Sequence, residues 1–429
     1  MSKLAVGCPV LLKCHCFKGF RQTQAPINSL PTEIVCEILT TAIEMPGFDR
    51  GYAHRDRKSE LATVCRRWRD IILNTPFFWT YIDGCHGFDL AHVRADRYKA
   101  FVDILIATVH RWCSLTITNN FHGCRLITDR LGCTVFPLLT HLFIPGYWPD
   151  PPILSLCPEY VPALKHLEIS IEAFTRNHFP FPLTLEELAI HEFRGWTSCS
   201  LQFLSFQRLK VLSFRGYMKA EGEIQPDSIH LPLLTRLSFC VSYAEQLLRI
   251  LSAPSLTHID YEQQKDETLF TAFNGIPSKW ANVRELWLTL PLPVYSTRED
   301  YHVGLPAFCL AAPEVRSMAV MAENLNELLD CRQGVYPMDH WVHLEKLTVI
   351  GNVLQFNKTL LGRYILPWLK QRRDMGKSAL RLSFLLIGDK AEFKNMVEDV
   401  GQYCDGIDLR AERVCGYKST GMLREIPKQ

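Results

Sequence analysis

The sequence predicts an α/β protein in which short all-α helices at the N-terminus precede a solenoid. That solenoid would present a ridge of parallel strands and have a helical or irregular convex side. Two observations predict this class. Near the N-terminus, apolar residues recur at the three- and four-residue spacing of amphipathic helices. Between residues 139 and 349, one short pattern occurs nine times: an apolar residue, two mostly polar ones, leucine or similar, a variable residue, and another apolar residue.

The intervals between copies indicate the kind of solenoid. Successive copies begin 25, 21, 24, 25, 22, 27, 32 and 29 residues apart, which is typical of leucine-rich repeats. One such unit cannot bury its apolar face alone, so units stack on each other. The copies begin at Leu139, Leu164, Leu185, Leu209, Leu234, Leu256, Val283, Val315 and Leu344, and Trp112-x-x-Leu115-x-Ile117 is a further first copy.

The repeats are irregular ones. Leucine-rich repeats normally carry an asparagine three residues after the last apolar position, and here only Asn352 fits. A proline often stands just before the pattern, and because proline cannot donate a ladder hydrogen bond, we expect it to mark the start of each strand. These prolines are Pro137, Pro162, Pro232, Pro254 and Pro313. Short helical patterns at 244–251, 267–273 and 325–329 predict the return elements, which lead the chain from one strand to the next on the convex side.

Two helices are predicted before the repeats. The first begins near Pro31, which suits a first helical position, and ends before Met45-Pro46-Gly47. Its apolar stripe is Ile34, Val35, Ile38, Leu39 and Ala42. The second is capped by Ser59 and ends at Asn74-Thr75-Pro76. Its stripe is Leu61, Val64, Cys65, Trp68, Ile71 and Ile72.

Beyond the repeats, the pattern predicts a helix over 361–369, a strand over 382–387 and a last strand at 407–409, which together suggest a terminal cap. We therefore divide the chain into a flexible arm (1–27), a helical domain (28–82), a linker with a capping helix and the first strand (83–118), an irregular solenoid with a C-terminal cap (119–415), and a polar tail (416–429).

Composition narrows the function classes. The chain has 429 residues and a net charge of +2. Its electrostatic field is therefore too weak to favour nucleic acid or an anionic membrane as partner. No apolar run is long enough for a membrane span. Sixteen cysteines are scattered, many in apolar positions, and no Cys-x-x-Cys pair occurs. This usage predicts reduced thiols and a cytoplasmic or nuclear location.

No motif for nucleotide binding, zinc hydrolysis or a nucleophile elbow is present, so we expect no enzyme activity, no catalytic residues, no metal and no cofactor. The informative positions are instead those that alternate away from the core on each predicted strand. Candidates for contacting a partner protein are His141, Phe143, His166, Glu168, Arg236, His258, Asp260, Glu285 and Trp287.

Two pairs within this set have a further interpretation. Phe143 and Trp287 would anchor a partner, unless loops or the tail cover them. His141 and His166 should stack on neighbouring strands about 5 Å apart, which would suit a metal or a pH response, or be a simple solvated pair.

The helical segment carries Leu30-Pro31-x-Glu33-Ile34, then Ile38-Leu39, Val64-Cys65-x-x-Trp68-Arg69, Ile71-Ile72 and Pro76-x-x-Trp79. This combination resembles the F-box, although the connector from Pro46 to Lys58 is longer and more charged than in many F-boxes. An unrelated two-helix cap on the solenoid would show the same periodicity. The resemblance implies adaptor contacts through Leu30, Pro31, Ile34, Ile38, Val64, Trp68 and Trp79.

The whole chain resembles F-box proteins with C-terminal irregular leucine-rich repeats, a class abundant in fungi. That resemblance implies a substrate receptor of an SCF-type cullin–RING ubiquitin ligase. The F-box would hold the S-phase-kinase-associated adaptor, and through it the cullin, while the ridge would hold the substrate protein. The alternative is a non-ligase scaffold that uses the same repeats for assembly.

Overall fold

In the computed structural model, the chain forms two compact units, Met1–Thr80 and Tyr81–Gln429. The structure describes residues 29–44, 61–75, 106, 109–116, 131–132, 134–144, 156–170, 184–197, 207–221, 225–242, 248–262, 279–289, 306–331, 335–352, 360–387, 397 and 400–412. The finer predicted division into arm, linker, cap and tail stays a prediction.

The first unit contains helices α1 (Thr32–Glu44) and α2 (Arg66–Asn74). Both end where the sequence predicted: α1 stops directly before Met45-Pro46, and Thr75 N–H closes α2 by donating to Ile71 O at 2.8 Å. Their apolar stripes pack into a small core, formed by Val35, Leu39, Ile71 and Ile72.

The predicted continuous second helix is wrong. Residues 61–64 are helical, but Cys65 is extended (φ −156°, ψ 165°) and α2 begins after it. The Cys65 Sγ accepts from Trp68 N–H at 3.4 Å, so it caps a new helix. The Arg69 side chain spans the break by donating to Ala62 O at 3.2 Å. The apolar stripe runs through the break because Leu61 and Ile72 pack on the same core. Ser59 lies outside the described residues.

The second unit contains a twelve-stranded parallel sheet in which every predicted copy of the pattern supplies a strand. The strands are β1 (Ser114–Thr116), β2 (His141–Ile144), β3 (His166–Ser170), β4 (Glu187–Thr197), β5 (Val211–Glu221), β7 (Arg236–Ser242), β9 (His258–Glu262), β10 (Glu285–Thr289), β11 (Ser317–Met321), β12 (Lys346–Asn352), β13 (Leu380–Ile387) and β14 (Cys404–Glu412), in that spatial order.

The strands are in register with the sequence pattern. Leu142 lies opposite Leu167, which lies opposite Leu188, and the same column continues across the sheet. In each of the nine copies between residues 139 and 349 the second and third apolar positions are buried, as the 3% exposure of Leu142 and 1% of Ile144 illustrate. Full burial of one such side chain stabilises the fold by about 1.5–3 kcal/mol.

The prolines have a different role from the predicted one. The N–H of the first apolar residue of a copy donates to the carbonyl three residues earlier, for example Leu164 to Val161 at 3.2 Å and Leu234 to Leu231 at 3.2 Å. Pro162 and Pro232 therefore occupy the second position of a β-turn ahead of the strand, where a fixed φ is favourable. The residue that opens the turn is itself buried in several copies, namely Phe136, Val161, Leu231, Trp280 and Trp341.

A ladder of carbonyl groups joins consecutive repeats. Thr140 O accepts from both Lys165 N–H and His166 N–H at 2.9 Å. The same double acceptance recurs at the equivalent positions of Cys113, Lys165, Glu186, Lys210, Thr235, Thr257, Arg284 and Arg316. These bonds satisfy backbone groups at the start of each strand in copies that mostly lack the usual asparagine.

One of the three helical segments predicted between the strands needs correction. The helical return over 244–251 is helical only at 248–250 where described, since Leu251 and Ser252 form β8, which pairs with β6 (Ile229–His230). The return at 325–329 is confirmed by α3 (Leu325–Leu328). The return at 267–273 lies outside the described residues.

Both strands predicted beyond the repeats are present and extend the sheet. They are β13 and β14, and they follow β12 in register, with Leu382 opposite Leu347 and fully buried. The preceding helix, predicted over 361–369, consists of a π-helical turn (Leu360–Ile365) followed by α4 (Leu366–Asp374). The buried Asp339 carboxylate accepts from Trp368 Nε1 at 3.3 Å and so connects α4 to the turn before β12.

The solenoid core gives a test of the register. We expect Leu237→Ala, at a fully buried position of β7, to lower the free energy of unfolding by about 2–5 kcal/mol, because it leaves a cavity between neighbouring repeats. Urea denaturation followed by circular dichroism measures this change. Ser238→Ala, one residue further and pointing the other way, is the control and should change it by less than about 0.5 kcal/mol. Equal effects of the two substitutions would contradict the register.

Candidate protein-binding surfaces

Helix α1 has more apolar surface than its own unit buries. Val35 and Leu39 form one stripe at i, i+4 spacing and are fully buried. Ile34 and Ile38 form the adjacent stripe and remain 42% and 37% exposed, and Val64 is 61% exposed. Exposed aliphatic side chains grouped on a helix are typical of an interaction surface. We call Ile34, Ile38 and Val64 the helical apolar surface.

The other predicted adaptor residues differ in their exposure to solvent. Pro31 is exposed at the start of α1, whereas Leu30 and Trp68 are partly buried and pack against the small core. The Arg67 guanidinium donates to Leu30 O, which fixes the chain just before α1. Leu30 and Trp68 therefore support the fold of the unit itself. Trp79 lies outside the described residues.

The second unit presents what we call the outer face, which is the side of the twelve-stranded sheet turned away from the main core. Its side chains form columns, since register places His141 beside His166 and Glu187, and Phe143 beside Glu168 and Ala189. The nine predicted contact residues all lie on this face. They differ in exposure: the His258 side chain is 17% exposed and that of Glu285 is 61% exposed.

A histidine–glutamate network occupies the outer face at β2, β3 and β4. The His141 and His166 rings stack with centroids 4.1 Å apart and planes 5° apart, which confirms the predicted stacking. His166 Nδ1 lies 2.9 Å from a Glu187 carboxylate oxygen, and His191 Nε2 lies 2.6 Å from Glu168. Burial and the neighbouring His166 lower the pKa of His141, which favours the neutral ring.

A second polar network lies at β7, β9 and β10. Arg236 donates to Asp260 through Nε at 3.0 Å and through its terminal nitrogen at 2.7 Å. The His258 ring contacts Asp260 through Nε2 at 2.7 Å and Glu285 through Nδ1 at 2.9 Å. Burial raises the pKa of Asp260, but hydrogen bonds and charge from His258 and Arg236 outweigh it, so the net shift is downward.

Trp287 has an apolar environment that the sequence did not predict. Its indole packs against a second apolar cluster, separate from the main core, built from Ala319, Ile350 and Leu385 with Met321 beside it. These side chains come from neighbouring columns of β11, β12 and β13. Trp287 is therefore half-buried at the border of this cluster, rather than isolated on a polar surface. Phe143 is also partly buried.

Two members of the first network were absent from the predicted contact set. Glu187 alternates away from the core, but nothing in the sequence distinguished it from other outward residues. His191 directly follows the last apolar residue of its copy. Extending the alternation by one more outward position along β4 would have found His191 opposite Ser170. The pattern ended too early because the strand is longer than the repeat motif.

Sites of other kinds are not evident in the described part of the chain. There, no group of three or more histidine, cysteine or carboxylate side chains is arranged to hold a metal ion. None of the described helices combines the length and apolarity needed to cross a membrane. None of the described cysteines forms a disulfide, and burial raises the pKa of the Cys309 and Cys404 thiols, the latter to about 12.

Comparison with known proteins identifies the first unit. A family model described as F-box-like matches residues 27–84. The chain carries an F-box-like domain. Both described helices of the first unit, and the helical apolar surface, fall inside this match. No curated protein matches the chain significantly.

The pKa of Asp260 predicts a pH dependence. A carboxyl whose pKa is depressed on folding contributes stability above its unfolded pKa, here about 3.8, and loses it as pH falls through the folded pKa. We expect Asp260→Asn to lower the free energy of unfolding at pH 7 by about 1–2 kcal/mol. This deficit should shrink as the pH falls from 5 towards 3.

Urea titrations of both proteins at several pH values measure the difference. Asp408→Asn, at an exposed carboxylate paired with Arg410, should cost less than about 0.5 kcal/mol at pH 7. A deficit for Asp260→Asn that stays constant down to pH 3 would contradict the assigned network.

Proposed function

We propose that this protein is the substrate-recognition subunit of an SCF-type cullin–RING ubiquitin ligase. An F-box-like domain indicates a substrate-adaptor role in such complexes in general. The observation that carries the proposal for this chain is the F-box-like match on helices that leave Ile34 and Ile38 exposed. An adaptor protein that covers this surface would bury apolar area that the first unit leaves exposed, and this burial would stabilise the complex.

We also propose that the second unit is an irregular leucine-rich-repeat solenoid whose outer face binds the substrate protein. Its support is the twelve-stranded parallel sheet together with the repeat pattern that supplies the strands. In this arrangement the chain needs no catalytic residues of its own, because the transfer chemistry belongs to the conjugating enzyme. The chain raises the effective concentration of the substrate near that enzyme.

Free, buried thiols such as Cys309 support a reducing location, the cytoplasm or the nucleus. The composition supports a protein partner rather than nucleic acid or membrane, because the net charge is only +2.

The adaptor contact is tested by changing the helical apolar surface. We expect Ile34→Ala with Ile38→Ala to reduce co-purification of the S-phase-kinase-associated adaptor at least about tenfold, because two exposed side chains that do not support the core lose their contact area. Quantitative pull-down from cells measures the recovered adaptor and cullin.

The control is Leu138→Ala with Leu233→Ala in the second unit. Those leucines are 52% and 47% exposed, so the loss of apolar area is matched, and adaptor recovery should not change. Urea denaturation checks that both variants stay folded. If the unmodified chain recovers neither adaptor nor cullin, the alternative of a non-ligase leucine-rich-repeat scaffold replaces the ligase proposal.

A further inference from the structure

We propose that the outer face between β3 and β10 docks an extended, lysine- or arginine-rich segment of the partner protein. This inference rests on the proposed function only in identifying that partner as the ligase substrate. It is carried by the distribution of charge on the face and by the position of Trp287 at its border.

The charge of this face is opposite to that of the chain. Among outward positions of β3, β4, β5, β7, β9 and β10 whose side chains the structure describes, carboxylates outnumber guanidinium groups. With neutral imidazoles the net charge of these positions is −3, in a chain whose overall charge is +2. The carboxylates are Glu168, Glu187, Asp260, Glu262 and Glu285, and the guanidinium groups are those of Arg215 and Arg236.

Histidine partners hold three of these carboxylates in position. Arg236 pairs with Asp260, whereas Glu168, Glu187 and Glu285 contact His191, His166 and His258 respectively. The Glu187 and Glu285 side chains remain 50% and 61% exposed, so an incoming cation can reach them.

Trp287 adds a contact that also favours cationic side chains. It lies next to Asp260 across the β9–β10 pair and is partly exposed. The face of an indole ring attracts an ammonium or guanidinium group, and carboxylates beside it strengthen the attraction. The apolar cluster behind the ring fixes its position, so little side-chain entropy is lost on binding.

The dimensions suit a short extended segment. Six adjacent strands spaced about 4.8 Å apart span roughly 24 Å, which an extended chain covers in about seven residues. A segment of that length that crosses the strands would reach the exposed carboxylates at both ends of the span, Glu187 on β4 and Glu285 on β10.

The test uses the purified full-length chain without adaptor and three fluorescent probes: an eight-residue peptide alternating lysine and serine, one alternating glutamate and serine, and a single-stranded oligonucleotide. Fluorescence anisotropy at low ionic strength measures binding. We expect the chain to bind the lysine peptide alone at pH 7.5.

Glu187→Gln with Glu285→Gln should weaken binding of the lysine peptide about fivefold, because two exposed charge contacts are removed. The control, Glu314→Gln with Glu345→Gln, removes the same charge from turn residues that are 46% and 62% exposed, and should leave affinity within about twofold. Urea midpoints verify that both variants fold equally well.

Either of two results would overturn the proposal: tighter binding of the glutamate peptide or the oligonucleotide, or equal weakening by the two double variants. Neither of these affects adaptor co-purification, which reports on the first unit. Failure of the docking proposal is therefore distinguishable from failure of the proposed ligase role.

Discussion

The whole second unit depends on the registered stacking of its strands. Each repeat is too short to bury its own leucines. The column through Leu142, Leu167 and Leu188 is therefore shielded from water only when neighbouring repeats stack in register. The alternation of a strand has a period of two, and a shift of one residue would exchange the core face with the outer face. The carbonyl ladder adds directional bonds to the apolar columns and fixes the same register at the start of each strand.

This constraint separates stability from recognition. Residues that face the core are held by packing, whereas residues on the outer face are free to carry charge, aromatic rings and imidazoles. The two polar networks and the Trp287 cluster result from that freedom, since each joins side chains from three or four different repeats. The first unit uses a similar division on one helix, with Val35 and Leu39 buried and Ile34 and Ile38 exposed.

Sequence reasoning predicted the strands well because their signal is local and repeated. It predicted the His141–His166 stack for the same reason, since in-phase strands place equivalent positions side by side. It failed where one residue changes the backbone path. Apolar periodicity does not reveal the break at Cys65, because the apolar stripe continues through it. The role of Pro162 depends on a four-residue β-turn that begins before the motif.

By itself, the sequence determined the class of fold, the number and phase of most strands, and which residues of each copy point away from the core, because these follow from periodicity along the chain. Only the tertiary structure decided which outward residues meet. The contact of His258 with Glu285, and the packing of Trp287 against a cluster built from later strands, join residues that are separated along the chain. It also decided which half of the α1 stripe stays exposed, since burial is a property of the partner surface and not of the helix.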